Sequence, residues 1–236
     1  MLSIIIPTLN EEVYLPRLIK SVRLQDYLDY EIIVSDGGSE DKTQEIAKDN
    51  NCILVVDDKH RHPAWQRNNG AKNAKGEILL FLDADTVLQE TFLTKAVNEF
   101  KKRDLGIAAF YIKFNPNNPL YSIFSFTVNI LAYVRQFYSP IGIGAGIMSK
   151  RELHNKVDGF DTSIFLAEDY DYCRRMSKIG KFKMIRLIKL LYSSRRLEQY
   201  GELRTLYKWL KMGSRSLFGI KIKEKIIDYD FGKFKK

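Results

Sequence analysis

Along the first half of the chain, short apolar runs rich in β-branched residues alternate with stretches of helical period. Ser3–Ile6, Glu31–Ser35, Ile53–Val56 and Ile78–Leu82 predict strands, while Leu15–Leu24, Lys42–Asp49, Ala64–Ala74 and Thr91–Arg103 predict helices. This alternation implies a mostly parallel central sheet flanked by helices on both faces, with a Rossmann-like nucleotide-binding half. In such sheets a ligand sits beyond the carboxyl ends of the strands, so the polar residues following each strand come first. They are Pro7-Thr8-Leu9-Asn10-Glu11, Asp36-Gly37-Gly38-Ser39 and Asp83-Ala84-Asp85-Thr86.

The second half adds a strand-like Ile107–Ile112, an apolar helix over Ser122–Phe137 and the glycine-rich Gly142–Gly146. A second acidic cluster, Glu168-Asp169-Tyr170-Asp171, opens a helix that runs toward Lys178. The most apolar stretch, Leu120–Val134, is broken by Ser122, Ser125, Thr127 and Asn129. It is shorter than the roughly 20 residues of a membrane span, so it reads as a buried or groove-lining helix. Neither an internal repeat nor a low-complexity linker is visible. The expected organisation is a domain over residues 1–196 and a basic helical extension over 197–236.

Composition is that of an ordinary folded protein, with 45% hydrophobic and 28% charged residues in 236. The apolar start, Leu2–Ile6, lacks a basic leader and a cleavage site, and Cys52 and Cys173 have no metal-ligand spacing. Two reduced thiols in a cytoplasmic protein are therefore expected. Charge changes the picture more. Residues 1–171 hold 19 Lys+Arg against 24 Asp+Glu, a net of −5, and residues 172–236 hold 19 against 5, a net of +14. The basic character belongs to the last quarter and suits either an anionic surface or a solvated basic face. Arg204, Lys208, Lys211 and Arg215 fall on one helical face, opposite Leu203, Leu206, Leu210 and Leu217. Such a helix either lies on an anionic membrane or docks on the domain with its cations in water.

Asp83 and Asp85, at a strand end, are the oxygen donors that Mg²⁺ or Mn²⁺ takes while bridging phosphates. Helix capping or a solvated turn would use the same residues. Asp36 can accept from a base or ribose, or close an Asx-turn ahead of Gly37. Pro7, Thr8 and Glu11 can wall a nucleotide pocket or form a turn before a capped helix. Arg67 offers a fork-shaped cation for a diphosphate, although spacing alone places it on the surface. Asp169, with Glu168, is the candidate base; a helix N-terminus favours the same acids. His60, His62 and His154 read as surface residues without triad or zinc spacing.

In order, PTLNE at 7–11, DGGSED at 36–41, RNNG at 67–70, DADT at 83–86, GAG at 144–146, GFD at 159–161 and AEDYDYCRR at 167–175 resemble the family 2 glycosyltransferases of GT-A fold. The resemblance covers roughly residues 1–196. It implies an inverting, metal-dependent transferase that moves a sugar from a nucleotide-diphosphate donor to a hydroxyl, glycan or lipid-phosphate acceptor. By matching position, Pro7, Thr8, Glu11, Asp36, Arg67 and Asp83 would hold the nucleotide, Asp85 the metal, and Asp169 the role of base. Gly144, Ala145, Arg195 and Arg196 are candidates for the diphosphate or acceptor. Processive members carry QxxRW after the base; here Ser193-Ser194-Arg195-Arg196 stands instead, implying single transfer. Two rivals remain: a nucleotidyltransferase, and an inactive membrane- or nucleic-acid-binding module. Intact carboxylates at 83, 85 and 169 argue against the second, and no nucleic-acid partner is expected.

Overall fold

The computed structural model describes residues 1–115, 119–142 and 144–201, then positions 204, 205, 207, 208, 211, 214, 215 and 220–222. The elements are β1 (Leu2–Thr8), α1 (Leu15–Arg23), β2 (Tyr30–Asp36), α2 (Thr43–Asp49), β3 (Ile53–Val56), α3 (Pro63–Lys72) and β4 (Ile78–Leu82). They continue with β5 (Thr86–Val87), α4 (Phe92–Lys102), β6 (Ile107–Asn115), α5 (Pro119–Arg135), β7 (Gly146–Lys150), α6 (Arg151–Lys156), α7 (Glu168–Met176), β8 (Phe182–Ser193) and α8 (Arg195–Tyr200).

One sheet orders the strands β3-β2-β1-β4-β7-β6-β8-β5. The β1–β2, β1–β4, β2–β3 and β6–β8 pairs are parallel, and β7 and β5 run against their neighbours. β1 is buried along its whole length because helices cover both faces, hence its unbroken apolar run. Alternation splits its side chains. Ile4 and Ile6 meet α1 and α4 on one face, whereas Ile5 joins Phe81, Ile147, Tyr172 and Met176 on the other. The chain winds from β1 outward to β3 and returns to β4 on the opposite side of β1. That reversal opens a crevice at the carboxyl ends of β1 and β4.

β8 was not expected, because FKMIRLIKLLYS reads as a basic segment. Its Arg186, Leu187 and Lys189 are exposed while Ile185, Ile188 and Leu190 are buried, so one wet face carries the cations.

α5 departs from the sequence expectation. β7 pairs with β6 only over Ile107–Ala109, and further along the polar residues of α5 take the strand's place beside β6. Asn129 accepts from the Ile112 amide at 3.0 Å and donates to its carbonyl at 2.8 Å; the Ser125 hydroxyl accepts from the Phe114 amide at 3.2 Å. Two of the four polar interruptions, Ser125 and Asn129, thus face inward, where they satisfy backbone groups that would otherwise be orphaned, while Ser122 and Thr127 are exposed. Leu120, Ile123, Phe126, Ile130 and Val134 face out while Tyr121, Phe124 and Ala132 face in, so the helix, expected to be buried or groove-lining, is buried on one side only.

The described residues of the basic tail bear on the two forms expected for it. Arg204 is exposed, but Lys208 is buried with its ammonium 4.4 Å from the centroid of Tyr200, and Lys211 lies 5.9 Å from that of Tyr207. Aromatic packing within the tail removes Lys208 from an exposed stripe. Leu203, Leu206, Leu210 and Leu217 lie outside the described residues. Further on, Ile222 bridges Leu166, and Lys221 pairs with Asp161 at 2.6 Å.

Candidate active site

The loops after β1 and β2 are laced together. Thr8 donates to Asp36 at 2.8 Å, Ser39 accepts from the Asn10 amide at 2.8 Å, and Thr43 accepts from the Glu11 amide at 2.8 Å. Asp36 is wholly buried and receives five hydrogen bonds, from Thr8, the Gly38 and Ser39 amides, the Ser39 hydroxyl and Gln44. A carboxylate has about four lone-pair sites, so in this arrangement Asp36 is fully engaged in organising the loop. Of the two readings open for it, the turn is the one seen. Pro7 and Thr8 are buried beside it.

Two arginines hold the acidic residues. Arg67, expected on the surface, is 3% exposed. It donates to Glu168 at 2.7 Å and to Asp83 at 2.9 Å, and its guanidinium lies 5.3 Å from the Phe160 ring centroid. Burial opposes its charge, but Asp83, Glu168 and Asp169 outweigh burial and hold Arg67 protonated. Helix α3 carries Arg67 inward because His62 accepts from the Ala64 amide and Pro63 pre-sets the first turn.

The second arginine is Arg195, at the start of α8. It forks onto Glu11 at 2.8 and 2.9 Å and sets Nε 2.8 Å from Asp85 Oδ2. Its guanidinium packs over Tyr14 at 4.7 Å. Burial pushes the Glu11 carboxyl up to about 7 against the pull of Arg195, and Asp85 and Asp83 push the same way. Asp85 is buried, and neither of its oxygens accepts a directed hydrogen bond, the close Arg195 Nε included. Buried hard oxygens without donors fit a divalent cation. Among the described residues no cluster of three or more His, Cys, Asp or Glu could hold a metal alone, so such an ion would need further oxygens from elsewhere.

Across the crevice, α7 opens at Ala167 in the left-handed region, φ 64°. Asn10 after β1 has φ 57°. Both bends cost energy for side chains with a Cβ, and such strain concentrates at working sites. Glu168 is buried against Arg67 and Asp169 is half-buried. Burial raises the Asp169 carboxyl well above the usual carboxylate range, with Glu168 and Asp83 adding to the rise and Arg67 opposing it. For Glu168, burial raises the carboxyl, but Arg67 and His62 outweigh it and the net shift is downward. Asp171 turns away to Arg175 at 2.6 Å and Arg174 at 3.3 Å.

Gly144 marks where these groups meet. A Cβ there would stand 3.2 Å from Asp169 Oδ2, 3.4 Å from Arg67 Nη2 and 3.4 Å from Asp83 Oδ2. The three side chains therefore surround one small open space that only a glycine backbone leaves clear. Ala145, next in the chain, is buried in the core, and the Arg196 side chain lies outside the described residues.

Sequence reasoning passed over three residues. His62 caps α3 and its Nε2 lies 2.9 Å from the Phe165 carbonyl oxygen, tying α3 to the loop before Glu168; the pair His62-Pro63 was the signal for it. Tyr14 carries no sequence signal for its place under Arg195. His154 is buried, not on the surface, with Nδ1 2.9 Å from the Tyr172 hydroxyl among the rings of Phe81 and Phe160. Cys52 and Cys173 are free thiols.

Comparison with known proteins accords with this geometry. The chain is 42% identical over 93 residues to the GalNAc(5)-diNAcBac-PP-undecaprenol beta-1,3-glucosyltransferase of Campylobacter jejuni, covering 37% of this chain and 30% of that one. It is 26% identical over 203 residues to the dolichyl N-acetyl-alpha-D-glucosaminyl phosphate 3-beta-D-2,3-diacetamido-2,3-dideoxy-beta-D-glucuronosyltransferase of Methanococcus voltae, covering 78% and 63%. The fold resembles that of the mannosyltransferase PcManGT from Pyrobaculum calidifontis in complex with GDP-Man and Mn²⁺. The TM-score is 0.69 at 21% identity, over 89% of this chain and 64% of that one. The chain thus spans less than two thirds of the length of each of these relatives. The sequence profile of Glycosyl transferase family 2 matches residues 3–160, and with its GT-A sheet and strand-end carboxylates the chain belongs to that family.

Proposed function

We propose that the protein is an inverting, single-transfer glycosyltransferase that takes a nucleotide-diphosphate sugar and glycosylates a lipid-linked acceptor. The observation that carries this is the space at Gly144, faced by Asp83 after β4, by Arg67 from α3 and by Asp169 from α7. A transferase that inverts needs the leaving diphosphate and the incoming oxygen on opposite sides of the anomeric carbon, and this crevice has charge for both.

In this reading Pro7, Thr8 and Glu11 wall the nucleotide, with Asp36 shaping the loop that holds it. Asp85, seconded by Asp83, would hold Mg²⁺ or Mn²⁺, which when bound offsets charge on the diphosphate. Arg195 stands beside Asp85, able to exchange a carboxylate partner for a phosphate. Arg67 pins Glu168 and Asp83, so Glu168 positions the site and Asp169 is left to act. The raised carboxyl of Asp169 suits a group that takes the acceptor proton as the new C–O bond forms and the bond to the diphosphate breaks. A lipid-linked acceptor is supported by the names of the Campylobacter and Methanococcus relatives.

The test is turnover with a panel of nucleotide sugars, Mn²⁺ or Mg²⁺, and polyprenyl-linked sugar acceptors. Nucleoside diphosphate should appear with glycosylated acceptor in equal amounts. Release of pyrophosphate instead would identify a nucleotidyltransferase. Asp85→Asn should lose metal-dependent binding of nucleoside diphosphate in calorimetry, and unchanged affinity would take Asp85 out of the metal site.

A further inference from the structure

The face of α5 turned to solvent is apolar. Leu120, Ile123, Phe126, Ile130 and Val134 follow one another at steps of 3, 3, 4 and 4, the period of a single helical stripe, and Phe137 continues it in the turn after the helix; each is 45–70% exposed. The polar side of the helix is spent inside, where Asn129 and Ser125 bond the backbone of β6. Tyr121, Phe124 and Ala132 are buried on that same side, so α5 is apolar on its inner side and on its outer side alike. A contiguous exposed stripe of this kind marks a surface with a partner.

Charge identifies the partner. No Asp or Glu occurs from residue 105 to 151 or from 172 to 197. Next to the end of α5, Lys183 Nζ lies 6.0 Å from the Phe137 ring centroid and the Arg186 guanidinium 5.0 Å from that of Tyr133. Apolar and aromatic side chains with cations beside them match the boundary between acyl chains and anionic headgroups. A second copy of the chain fits worse, since two such faces would bring like charges together. No helix among the described residues is long and apolar enough to cross a membrane, so α5 would lie along the surface.

We propose that the outward face of α5, with Lys183 and Arg186, docks the protein on an anionic lipid bilayer. The placement suits the site. Arg135, in the last turn of α5, lies 5.8 Å from the ring centroid of Tyr170, the neighbour of Asp169. Arg135 is on the buried side of α5, so this contact ties the carboxyl end of the helix, with the docked face on its other side, to the start of α7. Docking goes beyond the transferase reading and does not rest on it.

Flotation with vesicles of about one-third phosphatidylglycerol in phosphatidylcholine, and of phosphatidylcholine alone, tests this. The parent should float with the anionic vesicles. Phe126→Ser, Ile130→Ser and Val134→Ser made together should reduce the bound fraction at least tenfold, while the thermal midpoint holds because these side chains leave no core. Lys183→Gln with Arg186→Gln should reduce binding several-fold on anionic vesicles only. A parent that stays unbound overturns the proposal, as does a serine variant that floats like the parent. So does a lipid-free parent dimer in sedimentation velocity that the serine variant does not form, which would assign the face to a second copy. Nucleoside diphosphate release with a short, water-soluble acceptor is measured on the same proteins. Lost flotation of the variant with turnover intact supports docking, while a parent that floats but does not turn over sinks the transferase reading alone.

Discussion

Arg195 and Glu11, 184 residues apart in the chain, close a two-point ion pair inside the crevice, and the same arginine lies 2.8 Å from Asp85. One cation therefore neutralises two buried carboxylates contributed by the ends of β1 and β4. Arg195→Gln should destabilise the protein by about 3–5 kcal/mol, the cost of leaving buried charge unpaired. The Glu11 carboxyl, already raised to about 7, would rise further. A carboxyl raised in the folded state keeps its proton where the unfolded chain has lost it, so this stability is lost as pH rises. The deficit of the variant should accordingly be larger at pH 8 than at pH 6 in thermal melts.

Asp169→Asn should bind nucleoside diphosphate with Mn²⁺ nearly as the parent does and lose transfer about 10²–10⁴-fold, since an amide keeps the shape and cannot take a proton. Asp171→Asn should retain transfer per folded molecule and lower the melting temperature, because Asp171 is held by Arg174 and Arg175 away from the crevice. Single-turnover assays of both separate the roles. A dead Asp171→Asn beside an active Asp169→Asn would reverse the assignment.

Gly144→Ala should fold normally and turn over at least tenfold more slowly, a loss of about 1.4 kcal/mol or more in transition-state stabilisation. Its methyl would occupy the space between Asp169, Arg67 and Asp83. Gly142→Ala makes the contrast. Its Cβ would meet Cys173 Sγ at 2.7 Å and Ile147 Cδ1 at 2.8 Å in the core. It should cost about 1–3 kcal/mol in chemical denaturation.

His154 gives the fold a pH dependence of its own. Burial, helped by Arg175, lowers its pKa from 6.5 to about 4. The unfolded chain takes up a proton below 6.5 that the folded protein refuses until about 4, so stability falls as pH drops through that window. At about 1.4 kcal/mol per unit, roughly 3 kcal/mol is at stake. Urea midpoints should fall less between pH 7 and 4.5 in His154→Gln than in the parent.

Much of this was legible in the sequence. The runs at Ser3–Ile6 and Ile78–Leu82 are buried on both faces, so local pattern and final environment agree, and the polar residues after each strand had to gather at one edge of a parallel sheet. β8 escaped notice because its wet face carries Arg186 and Lys189, which mask a strand as a basic segment.

By itself, then, the sequence determined the parallel half of the sheet and the edge where Glu11, Asp36, Asp83 and Asp85 collect, since period and connection length are local properties. Tertiary structure decided which charges meet. Arg67 is buried because α3 packs it between Asp83 and Glu168, and Arg195 reaches Glu11 only because β8 returns the chain beside β6. It decided the facing of α5 as well. A helix period shows that Ser125 and Asn129 share a side, but only the unpaired edge of β6 makes that polar side the buried one and turns Phe126 and Ile130 outward.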